Sequence, residues 1–370
     1  MRILILNEDL GLGGVETMLV QLANALSQQQ TFSIHIASAG GPLVNSLSSA
    51  VHHHAIAKYH PWTLLPIIGQ LSRIISETKP DVIHSQGATI SILAGLAIRR
   101  AGTKSVNILT RHSRASEKLP NVLASRLLKK YCDHIVAISN STYQDFLAAG
   151  FENRVSLIPN FVDYHGIREQ IASYDRASIL KELDISPDSH IVSVAGRLIP
   201  AKRFDRFIEI LAQAAEGLEN NVVGLILGDG ESRKELETLA ASVADRVRII
   251  FLGYQSEIFK YLSISDLFLF PSEHAEVLPM ALIEALSAGT PIVCSNIPGN
   301  NEIVQEGFNG FLIDGSDADY VRSVQKLLLD KPFAAKIADN AMKTAEQKYG
   351  KAVVVKELIA LYQRLAAPDR

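Results

Sequence analysis

The chain has almost no cysteine. Cys132 and Cys294 are the only two in 370 residues. That excludes a disulfide scaffold and a cysteine-ligated metal cluster, and it suits free thiols in a reducing compartment. Long apolar runs are also missing: no stretch approaches the roughly 20 residues of a membrane-spanning helix. The opening "MRILILN" is short and is followed by Glu8 and Asp9, so it reads as a first β-strand rather than a secretory signal. Neither sign of charge dominates. A net charge of −3 gives no reason to expect a nucleic-acid partner. Low-complexity tracts and short-period repeats are absent as well, which excludes solenoids and compositionally biased linkers. These absences point to a cytoplasmic protein.

What is present is the composition of a folded chain, 47% hydrophobic and 20% charged. Its length favours two domains. The charge is unevenly placed: residues 1–165 carry +4 and the remainder −7. Short apolar runs alternate with helical stretches. "RILILN", "FSIHIAS", "VIHS", "SVNILT", "HIVAIS" and "VSLIPN" are strand candidates before the break near "IPNFVDYHGIREQ". "IVSVAG", "VVGLILG", "VRIIFLG", "DLFLFP" and "PIVCS" follow it. Continuous apolar strands joined by helices predict parallel sheets covered on both faces, the doubly wound α/β pattern, twice. A last helix is predicted over about 351–366. "HHH" at 52–54 has no metal-site context and is expected in a loop.

Ligands of such sheets bind beyond the carboxyl ends of the strands, so those ends carry the candidate site. After the first strand, Gly11, Gly13 and Gly14 let a bound group approach the helix N-terminus, although the spacing is not G-x-G-x-x-G and a plain tight turn reads equally well. After "IVSVAG", Arg197 and Lys202 could hold a diphosphate by charge-assisted bonds. Gly228, Asp229, Gly230, Gly253 and Tyr254 follow the next two strands. The segment "SEHAEVLPMALIEALSAGTPIV" poses a sharper problem, because Glu276 and Glu284 sit beside and inside an apolar helix. Buried carboxylates need partners. Pro279 and Gly289 bracket the helix. Met280, Ala281, Ser287 and Ala288 share a face with Glu284, and three of these four are small. Carboxylates there suit ligand hydroxyls. The plainer alternative is a helix cap at Glu276 and an ion pair at Glu284.

Taken in order, "GLGGVET", "PDVIHSQG", "HSR", "VAISNST", "IPNFVD", "VAGRLIPAKRFD", "LGDGES", "FLGY", "AEVLPMALIEALSAGTPIVCS" and "NEIVQEGFNGFL" resemble a family 4 glycosyltransferase of the GT-B fold. The two acids match that family's E-x7-E signature. The resemblance implies two Rossmann-like, doubly wound parallel-sheet domains facing a central cleft. The acceptor-side domain would span 1–163, with a helix at 350–370 packing back on it, and the donor domain 164–349. It implies a metal-independent, retaining hexosyltransferase that needs no cofactor and moves a sugar from a nucleotide-diphosphate donor to a glycan or lipid-linked acceptor. A UDP-sugar is favoured, with GDP-mannose also open. Arg197 and Lys202 would hold the diphosphate and stabilise the leaving nucleotide. Glu276 would contact the donor sugar, backbone amides from Val277 through Leu278, Pro279, Met280 and Ala281 would border sugar and phosphate, and Glu284 would take the ribose hydroxyls. Gly196 and Gly228 would line the site, and Gly253 and Tyr254 would border the base. Gly13 and Gly14 would close over the phosphates, and His112 would face donor sugar and acceptor.

Three positions depart from the family pattern. Val277 and Phe161 stand where Gly is common, and Gln86 stands where a second His is common. A basic amphipathic stretch at 111–130 (Arg111, Arg114, Lys118, Arg126, Lys129 and Lys130, with Leu119, Val122, Leu123, Leu127 and Leu128) could contact an anionic membrane at its inner face or pack on the sheet. "YHPWTLLPIIGQLSRII" is a second apolar candidate. A sugar-nucleotide epimerase and a non-catalytic sugar-nucleotide-binding protein are the alternatives. Donor base, sugar, acceptor, linkage and oligomeric state stay open.

Overall fold

The computed structural model describes residues 1–112, 122–273 and 277–367. The chain divides into two compact units, Met1–Phe161 with Ala352–Arg370, and Val162–Lys351.

The first unit holds seven strands: β1 (Arg2–Leu6), β2 (Ser33–Ser38), β3 (Val51–Ala55), β4 (Val82–Ser85), β5 (Val106–Arg111), β6 (His134–Ala137) and β7 (Val155–Leu157). Their order is β3-β2-β1-β4-β5-β6-β7, and each pair is parallel. The second unit holds β8 (His190–Ala195), β9 (Val222–Leu227), β10 (Arg248–Gly253), β11 (Leu267–Phe270), β12 (Ile292–Ser295) and β13 (Gly310–Ile313). Its order is β10-β9-β8-β11-β12-β13, again with every pair parallel. In both sheets the strand order reverses beside the first strand, at β1/β4 and at β8/β11. A crevice opens at such a point because successive crossovers leave on opposite sides.

The apolar runs explain the architecture. Every residue of β8, β9, β11 and β12 is buried, as expected when helices cover both faces. The C-terminal helix Lys351–Leu365 buries Val354, Leu358, Leu361 and Leu365 in the first unit's core with Ile3, Leu22 and Phe161, each worth roughly 1.5–3 kcal/mol. Its Tyr362 hydroxyl bonds His84 Nδ1 at 2.6 Å.

Two strands depart from the sequence reading. "HHH" is not a loop: it lies in β3, an edge strand paired with β2. The strand starts on buried Val51, and its imidazoles find local partners, His53 on Ser38 (2.9 Å) and His54 on His35 (3.0 Å). The sequence reading also omits β13, the edge strand beside β12. The basic stretch forms a helix at Val122–Tyr131. Its Leu128 is buried among Leu109, Ile135 and Phe146, while Arg126, Lys129 and Lys130 are exposed. Arg114, Lys118, Leu119 and the side chains of Val122 and Leu123 lie outside the described residues. Among the described residues, no helix is long and apolar enough to cross a membrane.

Candidate active site

In the second unit, the predicted residues gather along the carboxyl ends of four adjacent strands, β10, β9, β8 and β11. Three glycines make this edge possible. Gly196 N–H donates to Leu227 O (2.9 Å) and Gly228 N–H to Gly253 O (2.7 Å), which locks the three loops together. A Cβ on Gly228, at φ +141°, would stand 1.9 Å from Gly196 O, so no larger residue fits. Gly253, at φ +68°, turns the chain into Tyr254, which is 57% exposed beyond β10.

Arg197 follows β8, is exposed, and has no side-chain bond among the described residues. Lys202 ends the 3-10 turn Pro200–Lys202, and its ammonium lies 5.2 Å from the centroid of Phe270, the last residue of β11. Ser272 Oγ donates to Ala201 O (3.3 Å), so the loops after β8 and β11 meet at the reversal point. Behind them, Arg203 bonds Asp205 (3.0 Å) and Glu273, while Arg206 bonds Asp317 (2.5 Å). The sequence reading passed over this network of acids and arginines. Its only signal is the charge density of "KRFDRF".

Glu276 lies outside the described residues. Val277 is partly exposed, Leu278 and Pro279 are buried, and Met280 and Ala281 begin the helix Met280–Ala288. Pro279 is the N-cap and supplies no side-chain cap bond, so among the described residues the first-turn N–H groups carry no side-chain cap. They and the helix dipole favour a negative group there. Gly289 closes the helix in the left-handed region, at φ +76°.

Glu284 is half-buried in that helix and makes no hydrogen bond or ion pair among the described residues. The expected alternative, a paired structural acid, is therefore absent there. Burial pushes its carboxyl up to about 7, because nothing offsets the desolvation of the charge. Of its face neighbours, Ser287 is committed, with its hydroxyl on Ile283 O (2.7 Å).

The first unit repeats the logic at β1, β4 and β5. Gly13 is the N-cap of the helix Gly14–Ser27. A side chain there would meet Glu16 Oε2 at 2.1 Å. The preceding loop is held by Gly11 N–H on Asp9 Oδ1 (3.1 Å) and Leu10 N–H on Gly40 O (2.8 Å). His112 follows β5. Its Nε2 stands 2.9 Å from Gln86 Oε1, just past β4, and its Nδ1 is buried with no partner among the described residues. Burial lowers the imidazole to about 4, so it is neutral at pH 7. Sequence reasoning noted Gln86 only as a departure; the contact with His112 depends on the β4–β5 register.

Among the described residues, no group of three or more His, Cys, Asp or Glu side chains is placed to hold a metal ion. Among the described residues, the second unit offers two cations, a helix end without a side-chain cap and a carboxyl without a partner, and the first unit offers a neutral imidazole.

Comparison with known proteins agrees along nearly the whole chain. Residues 12–165 match the family described as Glycosyltransferase Family 4, and residues 175–344 match Glycosyl transferases group 1. The UDP-Gal:alpha-D-GlcNAc-diphosphoundecaprenol alpha-1,3-galactosyltransferase of Escherichia coli is 29% identical over 347 residues, covering 86% of each chain. The lipopolysaccharide core biosynthesis glycosyltransferase LpsE of Rhizobium meliloti is 25% identical over 261 residues, 67% of this chain and 73% of that one. Anabaena Alr3699/HepE, solved with UDP and glucose, has the same fold, with a TM-score of 0.82 at 20% identity over 98% of this chain and 99% of that one. With two parallel-sheet Rossmann-like units and family matches spanning both, the chain belongs to the family 4 glycosyltransferases of GT-B fold.

Proposed function

We propose that the protein transfers a hexosyl group from a UDP-sugar to a lipid-linked glycan, with retention of anomeric configuration and without a metal ion. The observation that carries this reading is Glu284. It is a half-buried carboxyl on a helix whose amino end lies beside the β8/β11 reversal, and among the described residues the carboxyl has no partner and the helix end no side-chain cap. A phosphate suits the helix end and a pair of hydroxyls suits the carboxylate, and a nucleoside diphosphate supplies both on one molecule.

In this reading Arg197 and Lys202 meet the charge that develops on the departing diphosphate, the role a divalent cation plays in metal-dependent transferases. Glu284 takes the ribose hydroxyls, Tyr254 borders the base, and Glu276 contacts the donor sugar. Gly13 and Gly14 admit the phosphates, and His112 faces the reacting sugars. As the sugar–phosphate bond breaks, the anomeric centre becomes oxocarbenium-like. The acceptor hydroxyl attacks from the face the diphosphate is leaving and passes its proton to a phosphate oxygen. The lipid-linked acceptor and the uridine base are supported by the names of the Escherichia coli relative and of the Anabaena complex.

The test is a thermal-shift screen of nucleotide sugars, followed by turnover of each stabilising donor with and without lipid-linked acceptors. Stabilisation by a UDP-sugar and acceptor-dependent UDP release are expected. Conversion of the donor alone to its epimer, or binding without turnover, would overturn the proposal.

A further inference from the structure

Gln86, just past β4, meets His112 directly. Two cross-strand contacts of equal spacing join β4 to β5: His84 Nε2 to Thr110 Oγ1 at 2.6 Å, and Gln86 Oε1 to His112 Nε2 at 2.9 Å. Residues two apart on a strand share a face, so the same register that pairs the buried His84 also delivers Gln86 to His112. Both ends of the ladder are anchored. Tyr362 holds His84 Nδ1, and Gln86 N–H donates to Leu6 O of β1 at 2.9 Å.

We propose that Gln86 is a positioning residue. By accepting the Nε2–H of His112, it fixes one imidazole tautomer and leaves Nδ1 as a bare acceptor for a sugar hydroxyl. An amide oxygen only accepts, so the ring nitrogen facing it must carry the proton. The other nitrogen of a neutral ring then holds a lone pair. That nitrogen is buried and meets no donor among the described residues, an arrangement that costs free energy until a donor arrives. Burial keeps the ring uncharged at neutral pH, so the lone pair persists. The inference rests on the reading of His112 as a substrate-facing group. The hydroxyl belongs to the donor sugar or to the acceptor, and the two sources are separable.

The experiment is two-bond 1H–15N correlation on the full chain labelled with 15N-histidine, at pH 7.5, with His112 assigned by its loss in His112→Gln. The expected spectrum shows a protonated Nε2 and a bare Nδ1. An Nδ1–H tautomer, which the opposite orientation of the Gln86 amide would produce, or an imidazolium would overturn the proposal. Gln86→Met should convert the signal to a tautomer mixture and lower kcat for transfer by about tenfold, whereas Gln86→Glu, which keeps an acceptor, should retain the Nε2 proton. If acceptor-free donor hydrolysis falls with transfer, the hydroxyl is the donor's; if only transfer falls, it is the acceptor's. Unchanged kcat in Gln86→Met alongside a mixed tautomer would also overturn the proposal. Should no donor be turned over at all, the functional reading fails, and the wild-type spectrum still decides the role of Gln86.

Discussion

Glu284→Gln replaces one carboxyl oxygen by nitrogen and removes a titration that burial has moved to about 7. At that value the group is about one-tenth ionised at pH 6 and about nine-tenths at pH 8. Ligand hydroxyls bond the ionised form more strongly, with charge-assisted bonds worth about 1.5–3 kcal/mol against about 0.5–1.5 for neutral ones. Binding therefore favours the carboxylate and draws its pKa down. The sign follows: affinity for an intact UDP-sugar rises with pH from 6 to 8 by up to about tenfold, and a proton is released on binding near pH 6. In Glu284→Gln the profile is flat, and binding at pH 8 is about tenfold weaker than wild type. Isothermal titration in two buffers of different ionisation heat reads both affinity and proton count. His112 and His84, lowered to about 4 and about 3, do not titrate in this window. Wild-type affinity in Glu284→Gln at pH 8, or a wild-type affinity independent of pH, would refute the reasoning.

Three further outcomes follow from the same geometry. In the donor-free protein Glu284 is destabilising once ionised: its stability contribution is present below about 4.5 and lost as pH rises through about 7. Glu284→Gln should therefore stabilise the fold at pH 8 by on the order of 1 kcal/mol after allowance for partial exposure, and much less at pH 5, read by urea unfolding at the two pH values. Lys202→Ala should cut kcat/KM for the donor by at least about 100-fold while leaving the circular-dichroism spectrum and Tm near wild type. Tyr362→Phe leaves His84 Nδ1 buried and without its partner, so urea unfolding should show a loss of about 1–3 kcal/mol.

The two sheets were legible because parallel strands buried on both faces leave unbroken apolar runs, as β8, β9 and β11 do. β3 was not, because "VHHHA" looks polar. Its imidazoles are accommodated by Ser38 and His35, residues some fifteen to twenty positions away, and the sequence does not show that pairing. At the site, Glu284, Arg197 and Lys202 were visible as charges at strand ends or within an apolar helix. Long-range contacts stayed hidden: the Lys202–Phe270 approach, the Gly228–Gly253 lock and the Gln86–His112 bond. Each depends on strand order, which local pattern does not encode.

The central claim is retaining transfer from a UDP-sugar to a lipid-linked glycan, and the anomeric configuration of the product tests it most directly. The purified chain is incubated with an α-configured UDP-hexose and a diphosphoundecaprenol-linked acceptor in the presence of a chelator, and the product's anomeric proton coupling is read by NMR. The account predicts an α-linked product formed with stoichiometric UDP release. A β-linked product, or no product until a divalent metal is added, would contradict it.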